Sequence, residues 1–149
     1  MRIIIGSDHA GFALKESVRQ SLTSGGFDVV DAGTHCGDSV DYPDYGMIAA
    51  ERVSSGEFDR GILICGSGVG MAIVANKFPS IRAALCLDEE TARLSRQHND
   101  SNILVLAGRK TEAAAAKGIV RTWLETPFEG GRHQKRLDKI RELEKKLCK

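Results

Sequence analysis

Ile62-Leu63-Ile64-Cys65-Gly66-Ser67-Gly68-Val69-Gly70, running on into Met71-Ala72-Ile73-Val74-Ala75-Asn76-Lys77, reads as a buried strand, a cysteine at its end, a glycine-rich turn and a helix. A short continuous apolar run bounded by turn residues is the pattern of a strand covered on both faces. In open parallel sheets, ligands bind outside the carboxyl ends of the strands. A glycine turn there aims several backbone N–H groups at one place, beside the positive end of a helix. Cys65 stands at the rim of that place. A helix N-terminus and nearby cations favour its thiolate, which makes a usable base. The bland alternative is a small buried apolar side chain, the usual fate of a free cysteine.

On either side of this stretch the chain alternates. Arg2 to Gly6 reads as a first strand and Asp8-His9-Ala10-Gly11 as the turn after it. Phe12 to Ser24 is an amphipathic helix, with Phe12, Leu14, Val18 and Leu22 at mostly helical spacing, stopped by Gly25-Gly26. Phe27 to Asp31 is a second strand, and His35 to Tyr42 a polar loop. Pro43 suits the first turn of a helix running to Gly56. Gly61 to Ile64 is the third strand, and the helix beyond the glycine turn reaches about Lys77 before Pro79. Arg82 to Leu87 is a fourth strand holding Cys86. Asp88 caps a helix that ends near Gln97-His98-Asn99-Asp100. Asn102 to Ala107 is a fifth strand, Thr111 opens a helix through Trp123, and Pro127 to Gly131 links to a final helix from Arg132 to Leu147. This order predicts a three-layer α/β/α sandwich, a five-stranded parallel sheet with an extra C-terminal helix, in a single domain over residues 1–149.

Composition narrows the class. The chain has 149 residues, 42% hydrophobic and 28% charged, with a net charge of +1, which speaks against a nucleic-acid footprint over the whole surface. No apolar run approaches a membrane span, and the apolar part of the N-terminus is too short for a signal peptide, so no membrane partner and a cytoplasmic location are expected. Cys36, Cys65, Cys86 and Cys148 form no C-x-x-C pair and read as reduced thiols. His35-Cys36 lacks zinc-ligand spacing, so no metal is expected.

The glycine turn is defined further by what it is not. Met71 stands where a dinucleotide fingerprint has glycine and where a cysteine phosphatase has arginine, and no Gly-Lys-Ser/Thr follows as in a Walker loop. An anion hole of backbone donors survives, against the alternative of a turn needed for packing alone. Ser67 is a proton relay or the cap of the next helix. Asp8-His9 ends the first strand on the same edge as Cys65. His98 lies in a polar run before a strand, where a lone histidine is more often a surface residue. Arg132 and Arg136 are four apart on one helix face, a phosphate clamp or a solvated basic surface. Leu137, Ile140, Leu143 and Leu147 make a narrow stripe on that helix, fit to pack on another subunit or on the helix's own domain.

Gly6-Ser7-Asp8-His9-Ala10-Gly11, Asp41-Tyr42-Pro43, Ile64 to Gly70, Ala75-Asn76-Lys77, Ser95-Arg96-Gln97-His98-Asn99-Asp100 and Glu129-Gly130-Gly131-Arg132-His133, in this order, make the whole chain resemble the type B ribose-5-phosphate isomerases of the ribose/galactose isomerase family. The resemblance implies a strand order of 2-1-3-5-4. It implies reversible isomerisation of ribose 5-phosphate and ribulose 5-phosphate through an enediolate, without metal or organic cofactor, as in the pentose phosphate pathway. It also implies a homodimer or homotetramer whose site is shared between subunits. One branch of the family uses a glutamate one residue beyond the glycine turn; Met71 is there, which places this chain in the cysteine branch. By that similarity Cys65 moves the proton between C2 and C1, Ser67 keeps a hydroxyl where many relatives have threonine, and His98 opens the ring. Asp8 and Tyr42 lie near the sugar. Asn99 and the amides of Gly66, Gly68, Val69 and Gly70 hold the enediolate oxygens. His9, Arg132 and Arg136 hold the phosphate, with Arg109 as an addition, and the partner subunit supplies His98, Asn99 and the late arginines. A hexose 6-phosphate, of allose or galactose, is the alternative substrate, and a non-catalytic module binding a phosphorylated ligand is the alternative class.

Overall fold

β3 (Arg60–Cys65) is the middle strand of the sheet in the computed structural model, which describes residues 1–147. On one side it pairs in parallel with β1 (Arg2–Ser7), which pairs with β2 (Asp28–Asp31); on the other it pairs with β5 (Ile103–Ala107), which pairs with the edge strand β4 (Ala83–Leu85). The order is β2-β1-β3-β5-β4, as the family resemblance implied. Central position explains the apolar run: Ile62, Leu63 and Ile64 are each fully buried. Alternate side chains face opposite sides of a strand. Ile62 and Ile64 accordingly join Ile3, Ile5, Leu104 and Leu106 beneath α1 (Phe12–Ser24) and α5 (Ala113–Glu125). Leu63 and Cys65 join Ile4, Ile103 and Val105 beneath α2 (Tyr42–Ser54) and α3 (Val69–Ala75). α4 (Glu89–Asn99) lies against α5, and α6 (Arg132–Leu147) follows it. The expected three layers with an added C-terminal helix are present.

Several boundaries differ from expectation, each for a local reason. The fourth strand is only Ala83–Leu85, so Cys86 lies just beyond it rather than inside it, although the Cys86 N–H still donates to the Val105 carbonyl (3.0 Å). The helix after the glycine turn ends at Ala75 instead of Lys77. Asn76 cuts it short, because its side-chain amide grips both the N–H and the carbonyl of Ala83 (2.9 and 3.0 Å), tying the helix end to the edge strand. Between β1 and α1 the expected turn is a short 3₁₀ helix, His9–Gly11, capped by Asp8. Lys15, in a helix read as plainly amphipathic, is fully buried and ion-paired with Asp31 and Glu16. The apolar stripe of the last helix divides: Leu137 is 7% exposed against the body of the chain, whereas Ile140, Leu143 and Leu147 are 47%, 54% and 73% exposed. Cys148 lies outside the described residues.

The strand order positions the site. β1 connects outward to β2, while β3 begins the other half of the sheet, so the chain departs in opposite directions from these two adjacent strands. A crevice opens at the carboxyl ends of strands at such a point. Asp8 follows β1 and Cys65 ends β3, on its two sides.

Candidate active site

The carboxyl edge of the sheet gathers one group of the expected residues. Cys65 is 5% exposed at the end of β3, and its carbonyl accepts from Gly108 N–H (2.8 Å), which ties the strand end to the loop after β5. That loop brings Arg109 to the turn: a Cβ on Gly66 would meet the Arg109 Nη1 at 3.3 Å. Gly68 has φ of 79°, a left-handed conformation that glycine adopts without the Cβ penalty. Tyr42, at the start of α2, lays its ring on Gly70, where a Cβ would stand 2.5 Å from the Tyr42 Cζ. The side chain of Ser67 is exposed, and its hydroxyl accepts from the Val69 N–H (3.3 Å), so in this conformation it braces the first turn of α3. The Val69 side chain is 51% exposed.

Asp8 and His9 complete this edge. The Asp8 carboxylate is largely buried, and its Oδ1 accepts from the Gly11 N–H (3.1 Å); the Asp8 N–H reaches the Ile64 carbonyl (3.3 Å), one residue before Cys65. His9 Nδ1 lies against the Val40 backbone, 3.1 Å from its N–H and 3.2 Å from its carbonyl oxygen, so the ring is anchored through Nδ1 to the loop before α2.

A second group collects at the opposite edge. His98 and Asn99 end α4, immediately before β5 begins, and Cys65 is level with Ala107 where β5 ends. The five residues of β5 separate these levels by about 16 Å. Arg132 and Arg136 are exposed on α6 and belong to the same edge as His98, because His133 between them stacks on His98 with ring centroids 4.3 Å apart and planes 14° apart. The structure therefore brings together Cys65, the glycine turn, Asp8, His9, Tyr42 and Arg109, and separately His98, Asn99, Arg132 and Arg136. Within one chain it does not bring the two groups together.

The second edge is firmly held by residues that sequence reasoning left without a role. Arg96 is 3% exposed and donates to Asp100 Oδ1 (2.8 Å), the Ser101 carbonyl (2.6 Å) and the Thr126 carbonyl (3.2 Å). Burial lowers its pKa, with Asp100 opposing. Arg82 pairs with the other Asp100 oxygen (3.2 Å), and Asp100 itself adopts φ of 46°. Ser101 Oγ accepts from Trp123 Nε1 (2.8 Å) and bonds to Ser95 Oγ (2.8 Å). This network fixes the helix end that presents His98. His133 was also missed. It is 4% exposed, and burial, then repulsion from His98 and Arg132, holds its pKa below the ordinary histidine value. Its only sequence signal was its place in the Glu129-to-His133 run, since the stacking is visible only in space.

Residues 3–140 match the model of the family described as Ribose/Galactose Isomerase. The chain is 46% identical to the Escherichia coli ribose-5-phosphate isomerase B over 145 residues, 97% of each protein. Among solved structures, that of the Clostridium thermocellum ribose-5-phosphate isomerase B is 54% identical, covers 99% of both chains and superposes with a TM-score of 0.97. The Mycoplasma genitalium ribose-5-phosphate isomerase B, solved with bound ribulose-5-phosphate, is 44% identical over 97% of this chain and 96% of that one, with a TM-score of 0.94. These matches run through all five strands and through both edges described above, and the chain belongs to the ribose/galactose isomerase family, a family of sugar-phosphate isomerases.

Proposed function

We propose that the protein interconverts D-ribose 5-phosphate and D-ribulose 5-phosphate, with Cys65 as the base. The observation that carries this reading is the position of Cys65, at the carboxyl end of the central strand and directly before the glycine turn that opens α3, where open parallel sheets bind their ligands. The relatives' activity, and the ribulose-5-phosphate bound to one of them, support the substrate. In the aldose-to-ketose direction the Cys65 thiolate removes the proton from C2 of the open-chain sugar and, as thiol, returns it to C1, while the hydroxyl proton of O2 passes to O1. Electrons pass through an enediolate, whose oxygens are met by the amides of Gly66, Gly68, Val69 and Gly70 and by Asn99. One donor aimed at such developing charge is worth about 3–4 kcal/mol. His98 exchanges the proton that opens the furanose ring. Asp8, Tyr42 and the Ser67 hydroxyl contact the sugar, while His9, Arg109, Arg132 and Arg136 hold the phosphate.

The two edges lie too far apart for one substrate to reach both in one chain. The reading therefore requires a second copy, whose His98, Asn99, Arg132 and Arg136 face the first copy's Cys65. Exposed apolar side chains support that assembly. Ile140, Leu143 and Leu147 on α6, and Val69, Ile73 and Leu87 near the carboxyl edge, are each about half exposed or more, with Ile140 the lowest at 47%. Large apolar side chains exposed in groups of this kind are what a subunit interface covers.

Cys65→Ala tests the central claim. We expect kcat to fall by about 10³-fold or more, while ribose 5-phosphate still raises the melting temperature as it does for the wild type. Turnover near the wild-type level would overturn the assignment of Cys65. On the wild type, kcat/KM for ribose 5-phosphate should exceed that for allose 6-phosphate, and the reverse preference would overturn the substrate.

A further inference from the structure

We propose that His98, Glu129 and His133 form a binding site for one borderline-soft divalent transition-metal ion, Zn²⁺ or its neighbours Co²⁺ and Ni²⁺, and that occupancy inhibits the enzyme by taking up His98. The inhibitory half rests on the ring-opening role proposed for His98; the binding half does not.

One ligand atom from each of the three residues lies within 4.8 Å of the others. His133 Nε2 and Glu129 Oε2 are already 3.5 Å apart. With metal bonds of about 2.0–2.2 Å to nitrogen and carboxylate oxygen, neighbouring ligands of a tetrahedral ion stand about 3.4 Å from each other. That pair is therefore spaced as one edge of the tetrahedron. The His98 ring lies over His133 at the solvent-accessible end of α4, and tilting it out of the stack brings the third donor in.

His133 supplies an independent sign of a missing partner. Its side chain is buried, and among the described residues its Nε2 has no hydrogen-bond partner, although it faces Glu129. Buried polar atoms are seldom left in that state. The guanidinium groups of Arg132 and Arg136 oppose a cation here, and the Glu129 carboxylate offsets part of that charge. The backbone holds the three residues in register: the Glu129 N–H donates to the Gln97 carbonyl (3.1 Å), and the His133 N–H to the Gly130 carbonyl (3.0 Å). Two imidazoles and one carboxylate, with a fourth position open to water, are a donor set suited to these ions.

Zn²⁺ titration by calorimetry, on the full chain carrying Cys36→Ser, Cys65→Ala and Cys148→Ser to remove competing thiols, tests the site, with Cys86 kept because it is fully buried. We expect one ion per chain, with binding weakened more than about tenfold by Glu129→Gln and abolished by His133→Asn. Glu129 is half exposed, so its variant keeps the test open should the buried His133 substitution fail to fold. Co²⁺ on the same proteins should show d–d absorption without a thiolate charge-transfer band, and Glu129→Gln should alter it. No saturable binding, or binding equal in wild-type and Glu129→Gln backgrounds, would overturn the site. In turnover assays of the otherwise unmodified enzyme, Zn²⁺ should inhibit, a chelator should restore activity, and Glu129→Gln should resist. Binding at these three residues with turnover untouched would remove the inhibitory half and, with it, the ring-opening role of His98.

Discussion

Two cysteines of this chain lie almost equally deep and are prepared for different fates. Cys86 is fully buried, and loss of solvent pushes its thiol up to about 11, against a weaker effect of Ser95, so it stays protonated and inert. Cys65 is almost as buried but ends a strand at a turn rich in N–H donors. Their contrast was legible in the sequence because one is followed by Gly-Ser-Gly and the other by Leu-Asp. Lys15 was not legible: a lysine in a surface helix reads as solvated, and only the fold reveals Asp31 across from it. Its neighbour Glu16 permits a pH test. Hydrogen bonds first from Arg19 and then from Lys15 hold the Glu16 carboxyl at about 2, against an ordinary 4.5. A carboxylate whose pKa is lowered by folding stabilises the protein above its unfolded pKa, and that contribution disappears as pH falls through the folded value. Glu16→Gln should therefore cost about 1–2 kcal/mol at pH 7, discounted for partial exposure, and the gap to wild type should close between about pH 5 and pH 2. Urea unfolding at several pH values measures it; a gap independent of pH would refute the account.

At the scale of elements, alternation and the identity of all five strands could be read from apolar runs and turn residues. Their ends could not, because tertiary contacts set them: Asn76 stops α3 by binding Ala83, and β4 is three residues long although the apolar run is longer. The strand order came from the family resemblance, since periodicity carries no information about which strand pairs with which. α6 shows the same division within one helix. Its stripe was compatible with packing on its own domain or on another, and the structure answers only for the first part, burying Leu137 and leaving Leu143 54% exposed. Leu137→Ala should destabilise the chain by about 2–5 kcal/mol. Leu143→Asp should leave the folded chain intact by circular dichroism and reduce its mass in light scattering to that of a smaller assembly. An unchanged mass would show that the exposed stripe is not an interface.

At the scale of the whole molecule, the proposed roles draw on residues at opposite edges of one sheet. Part of this was present in the sequence: Cys65 follows a strand and His98 precedes one, and in a parallel sheet these positions lie at opposite ends. The separation of about 16 Å across β5 makes turnover by an isolated chain incompatible with the proposed roles. It also sets the outcome of a mixing experiment. Cys65→Ala and His98→Ala should each be inactive in ring-form ribose 5-phosphate turnover. In a mixed dimer, one site collects both substitutions and the other collects neither. Equal mixing with free exchange makes half of the dimers mixed, each with one intact site of two, so activity should recover to about a quarter of the wild-type value. Exchange is verified separately by mass spectrometry of differently labelled chains. Recovery near that level supports a site shared across the interface, and none despite proven exchange would mean that each chain builds its own.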